Sequence, residues 1–102
     1  MNNNVTNKNN ISVKRLEDYK RFIKQHGVGD NDKISDSVRS YVIYLKRSSK
    51  HSSLDINPES LNHQEDIDKF VDKIKLSGVV STKTINNYKS AMKLYVAMVA
   101  SD

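Results

Sequence analysis

Apolar residues in this chain recur with the period of a helix in four separate segments, and nowhere do they alternate convincingly with the period of two that a half-buried strand needs. A chain so patterned can bury its apolar stripes only by packing helix against helix. The expected fold class is therefore all-α, a compact bundle of about four helices. At 102 residues the simplest arrangement is one domain with a modest core, spanning 11–102. The preceding Asn-rich segment, 1–10, is expected to be a disordered tail. No internal repeat is visible.

The first helix is expected from Ser12, as N-cap, to about His26. Val13, Leu16, Tyr19 and Ile23 form its apolar face, Ile11 staples onto Leu16, and Gly27 suits its stop. The segment GVGDND then reads as a linker or turn. A second helix runs from about Ser35 or Asp36 to Ser49, burying Val38, Tyr41, Val42 and Leu45. SSKHSSLDINPES follows as a loop in which Asn57-Pro58 can cap one short turn. The third helix opens on Asn62 with Glu65 as its capping-box partner. It buries Ile67, Phe70, Val71 and Ile74, and stops at Gly78. The fourth is capped by Ser81 and places Ile85, Tyr88, Met92, Tyr95, Val96 and Val99 at helical spacing, with Tyr88 and Tyr95 on the core face.

Several function classes drop out at once. With no cysteine there is neither a disulfide framework nor a thiolate metal site. No apolar run approaches the roughly 20 residues of a membrane helix, and MNNNVTNKNN has no apolar signal core. A cytoplasmic protein without a membrane partner is expected. His26, His51 and His63 are scattered without ligand spacing, so no metal is expected. No phosphate loop or nucleophile elbow occurs, and Glu65, Asp66, Asp68 and Asp72 decorate a helix that also carries lysines. No catalytic residue and no cofactor are assigned.

Charge is uneven. Residues 1–50 carry a net +6, residues 51–78 a net −3 and residues 79–102 a net +2. A polyanion should meet the basic ends and avoid the acidic third helix. The last helix sets Lys83, Asn86 and Ser90 opposite its core face, with Asn87 beside them and Lys93 on the rim. Asn can bond adenine edges, Lys reaches guanine edges or phosphates, and Ser81 with the first backbone N–H groups can hold a phosphate. Arg39, Lys46 and Arg47 lie away from the buried face of the second helix, with Lys50 and His51 just beyond it. These residues, His51 apart, form the expected DNA-binding set. The plain alternative is a solvated polar face.

The order S-x-T-I-x-x-Y-x-x-A-x-x-x-Y, from Ser81 through Thr84, Ile85, Tyr88 and Ala91 to Tyr95, resembles a helix of the core-binding domain of tyrosine recombinases and phage integrases. SVRSYVIYLKR, Ser37 to Arg47, resembles that family's other recurring helix, with its Y-x-x-Y-L pattern. The resemblance implies a SAM-like helical bundle that clasps double-stranded DNA. The chain departs from the family in an acidic insertion, residues 50–78, and in lacking the catalytic domain with its Arg, His and Tyr. What the resemblance implies is a non-catalytic DNA-binding module of a mobile-element or phage-related replication initiator, recombinase, nuclease or repressor.

A reading from a different class is a protein-interaction or oligomerisation domain. Ala91, Leu94 and Met98 lie on a second stripe of the last helix, an apolar patch if nothing covers it. That stripe is expected to form a homodimer or to dock a following domain. The helical pattern continues to Ser101-Asp102 without a glycine stop or basic last turn, so the chain is expected to be part of a longer protein. The other outcome for the stripe is packing against the first helix, whose Phe22 also lies off its main face.

Overall fold

The computed structural model describes residues 12–26 and 34–102. The four described helices are α1 (Leu16–His26), α2 (Ile34–Ser52), α3 (Gln64–Ser77) and α4 (Thr82–Ala100). They pack into the expected all-α bundle. Its core joins Tyr19 and Ile23 of α1, Leu45 of α2, Ile67, Phe70 and Ile74 of α3, and Met92 and Tyr95 of α4, all buried. The tail at 1–10, Ile11 and the GVGDND linker lie outside the described residues.

Local chemistry explains most boundaries. Ser81 caps α4, its Oγ accepting a hydrogen bond from the Thr84 N–H at 3.2 Å. Gly78 ends α3 in the left-handed region, φ 72°, where a residue without Cβ carries no steric penalty. The turn after α2 is built on Asn57, whose Oδ1 accepts from the Glu59 and Ser60 N–H groups at 2.8 and 2.9 Å.

Three boundaries differ from the sequence reading. Ser12 does not cap α1, because Arg15 has a positive φ of 63° and the helix begins only at Leu16. The segment before it is extended: Val13 makes a parallel bridge with Ile56, and the Ser12 N–H donates to Asp55 Oδ1 at 2.9 Å. The α3 cap is His63 rather than Asn62. Asp66, not Glu65, is the acidic partner, and its Oδ2 accepts from the Asn62 and His63 N–H groups at 3.0 and 3.1 Å. Finally, α2 continues to Ser52, beyond the expected Ser49. Its serines satisfy their hydroxyls locally: Ser48 donates to the Tyr44 carbonyl at 2.7 Å and Ser52 to the Ser49 carbonyl at 3.2 Å.

The outer stripe of α4 is internal. Ala91 and Met98 are 0% and 3% exposed, and Leu94 is half-buried. Met98 lines a cleft together with Phe22 of α1, and the Tyr19 hydroxyl of α1 donates to the Ala91 carbonyl at 2.8 Å. The expected interface at Ala91 and Met98 is thereby corrected: α1 covers them. Among the described residues no helix is long and apolar enough to cross a membrane.

Candidate nucleic-acid interface

The α2 contribution follows from its winding. At 100° per residue Arg39, Lys46, Arg47 and Lys50 fall within an arc of about 100°, opposite Val38, Leu45 and Ser52. All four are exposed. From Ser37 to Ser52 the helix contains no carboxylate, its one acidic residue being Asp36 in the first turn. On α4, Lys83, Asn86, Ser90 and Lys93 occupy an exposed arc of about 80°. Asn87 stands at its edge, half-buried. This helix carries lysines at 83, 89 and 93 and no acidic residue.

Elsewhere some cations are paired and others, Lys24, Lys69, Lys73 and Lys75 among them, have no carboxylate partner among the described residues. On α1 Lys20 meets Glu17 and Arg21 meets Asp18, each at 3.1 Å. Arg15 bridges Asp18 at 2.9 Å and also clasps Asp102 just past α4, one of its two contacts there being 3.1 Å. This guanidinium holds the Asp18 and Asp102 carboxyls below the usual carboxylate range by hydrogen bonding. None of Arg39, Lys46, Arg47, Lys50, Lys83 or Lys93 has a carboxylate partner among the described residues.

α2 and α4 pack against each other along one seam, on the core face of α4. There Tyr44 and His51 of α2 lie against Tyr88 of α4, with ring centroids 6.3 and 6.1 Å apart. Burial raises the Tyr88 hydroxyl above its ordinary pKa, while the charge of Arg47 pulls the other way. Arg47 thus lies on the α4 side of its arc. Arg39 lies on the other side, sharing a groove with Lys20 and Lys24 of α1. The structure gathers each helix's set onto its own arc, and of the α2 set Arg47 lies near enough to α4 for its charge to reach Tyr88.

Two members of the set are already engaged. Ser81 accepts from Thr84 N–H and donates to Thr84 Oγ1 at 3.0 Å, so what it can offer a phosphate is the helix N-terminus rather than its hydroxyl. Ser90 donates to the Asn86 carbonyl at 3.2 Å, leaving only its lone pairs. The side chains of Asn86 and Asn87 have no partner among the described residues. The aromatic seam was missed from sequence; the seven-residue spacing of Tyr44 and His51 puts them on one side of α2 but gives no cue that Tyr88 meets them. Among the described residues no three His, Cys, Asp or Glu side chains gather as a metal site.

No family model, curated protein or solved structure matches this chain.

Proposed function

We propose that this chain is a non-catalytic module that binds duplex DNA through the outward faces of α2 and α4. The observation that carries this reading is the clustering of exposed, unpaired cations on one arc of each of these helices. Arginine and lysine side chains face solvent there without carboxylate partners among the described residues, and neither Ser37–Ser52 nor α4 holds an acidic residue, whereas on α1 Lys20 and Arg21 are paired to acids. Unpaired cations attract phosphates and release condensed counterions when they bind. Amide side chains between them, Asn86 and Asn87, can read base edges. The resemblance of Ser81–Tyr95 and Ser37–Arg47 to the core-binding helices of recombinases supports the same role in a mobile-element or phage-related protein. The reading as a protein-interaction domain loses its main support, since Ala91 and Met98 are buried by α1.

An anisotropy titration with mixed-sequence duplex tests this at two salt concentrations. Four phosphate contacts would lower affinity roughly 100-fold between about 50 and 200 mM salt. Lys83→Ala with Lys93→Ala should weaken binding to every sequence and reduce the salt slope by about two. Asn86→Ala should mainly blur sequence preference. Salt-independent affinity, or a double-lysine variant that binds like the parent, would sink the reading.

A further inference from the structure

Three large apolar side chains are exposed among the described residues: Ile43, Leu76 and Val79. Leu76 and Val79 belong to the end of α3 and the turn after it. Ile43 stands instead in the middle of the cationic arc of α2. With Val38 as zero, Lys46, Arg39, Lys50, Ile43 and Arg47 fall at about 80°, 100°, 120°, 140° and 180° around that helix. The helical neighbours of Ile43 at i−4, i+3, i+4 and i+7 are therefore Arg39, Lys46, Arg47 and Lys50. All four are exposed, and none has a carboxylate partner among the described residues.

Packing accounts for only part of this side chain. Ile43 forms the outer lip of a groove between α1 and α2, whose Val38 and Val42 are each 8% exposed. Ile43 itself is 39% exposed. An aliphatic group among four cations adds nothing to solubility or to the attraction of phosphates, so its place calls for a different contact.

A helix laid in the major groove of a duplex turns its midline toward the base edges and its flanks toward the phosphates. On α2 the flanks are Lys46 and Arg39 on one side and Arg47 on the other, and the midline holds Lys50 and Ile43. The base edges in that groove present hydrogen-bond donors and acceptors, with one apolar group among them, the C5-methyl of thymine. The minor groove has no counterpart. An aliphatic side chain on the midline thus has a single chemical match.

We infer that Ile43 reads the C5-methyl group of thymine in the major groove of duplex DNA. This rests on the DNA-binding reading above and sharpens it. The cations of α2 hold the phosphates and carry no sequence information, and Ile43 is a specificity-determining residue between them.

Anisotropy titrations at about 50 mM salt test it with two duplexes of equal length. One alternates adenine and thymine, and the other carries deoxyuridine in place of every thymine. Their donors and acceptors are the same, and the methyl group is the difference. Burying one methyl group is worth about a fourfold preference, so the parent should bind the thymine duplex about four times as tightly. Ile43→Ala should bring that ratio to about one, and Ile43→Ser takes its place if circular dichroism shows that alanine costs helix. Failure of the parent to bind either duplex would sink the DNA-binding reading and this inference with it. Equal binding of the two duplexes by the parent would overturn the inference and leave DNA binding standing. A thymine preference that survives the loss of Ile43 would put the methyl contact on another residue and overturn it equally.

Discussion

Replacing Tyr19 by phenylalanine isolates one hydroxyl and leaves everything else in place. The ring is wholly buried, and its hydroxyl donates to the Ala91 carbonyl at 2.8 Å, fastening α1 onto α4. Phenylalanine keeps the ring, so no cavity term enters. The Ala91 carbonyl lies inside a helix and retains its i+4 amide partner, so no acceptor is orphaned. What remains is the net value of one hydrogen bond, about 1 kcal/mol. For a domain of this size that corresponds to a fall of roughly 4–8 °C in the thermal midpoint. Tyr95→Phe is the natural comparison, since its hydroxyl donates to the Lys14 carbonyl at 2.7 Å. Lys14 is exposed, and water can replace the lost donor, so the cost should fall to about 0.5 kcal/mol. The two rings are 5.8 Å apart, close enough for the double variant to depart from additivity. Thermal and urea unfolding followed by far-ultraviolet circular dichroism measure all three variants. If Tyr19→Phe proves as stable as the parent, its hydroxyl does not meet Ala91. The register of α1 on α4, and with it the burial of Met98, would then be wrong.

Two further outcomes are expected. Gly78→Ala should cost about 1 kcal/mol, the penalty of a left-handed alanine. The added Cβ meets nothing within 4 Å, so a loss much beyond that in urea unfolding would contradict the open surroundings of this turn. Alkaline pH should destabilise the fold through its phenols. Burial pushes Tyr95 up to about 12 and raises Tyr19 and Tyr88 as well, against an ordinary value of 10.0. The folded chain keeps these protons while the unfolded chain releases them, so their contribution is fully present below pH 10 and is lost as pH rises from there toward the folded values. With no tryptophan, phenolate absorbance reports this cleanly, and its late phase should coincide with loss of helix. Ionisation of all five tyrosines near pH 10 with the helices intact would refute the burial.

Features fixed by residues close in sequence were legible. The Ser81 cap, the Gly78 stop, the Asn57 turn and the apolar face of α3 each depend on neighbours within about four positions. What escaped reading depends on distant partners. Val13 looked helical because its bridge to Ile56 lies 43 positions away, and Ser12 looked like a cap because its own bond to Asp55 is as remote. Ala91 and Met98 looked open because periodicity gives the faces of a helix but not how many neighbours it will have. Here α1 adds a neighbour on the second side of α4. The serines at the end of α2 were misread for another reason: a residue type common in loops also fits a helix when its hydroxyl bonds back to a carbonyl one turn earlier. Among the candidate site residues, their place on exposed arcs was legible. The seam of Tyr44, His51 and Tyr88, and the place of Arg39 beside α1, needed the packed structure.

The contacts that hold α1 also bear on the order of assembly. Tyr19 and Ala91 are 72 positions apart, Lys14 and Tyr95 81, and Arg15 and Asp102 87. Forming the first of these in an open chain would cost roughly 4 kcal/mol of loop entropy, against about 1 kcal/mol for folding α4 back on α3 across the short link between them. Once α2, α3 and α4 have gathered, α1 needs to close only the connection from His26 to Ile34, and the same distant bonds become inexpensive. The bonds between α1 and α4 are therefore expected to form late, after the rate-limiting step. Interactions made after that step slow unfolding and leave the folding rate nearly unchanged. Removing either tyrosine hydroxyl on this boundary should therefore speed unfolding and leave the folding rate nearly unchanged, which stopped-flow measurements on Tyr19→Phe and Tyr95→Phe check.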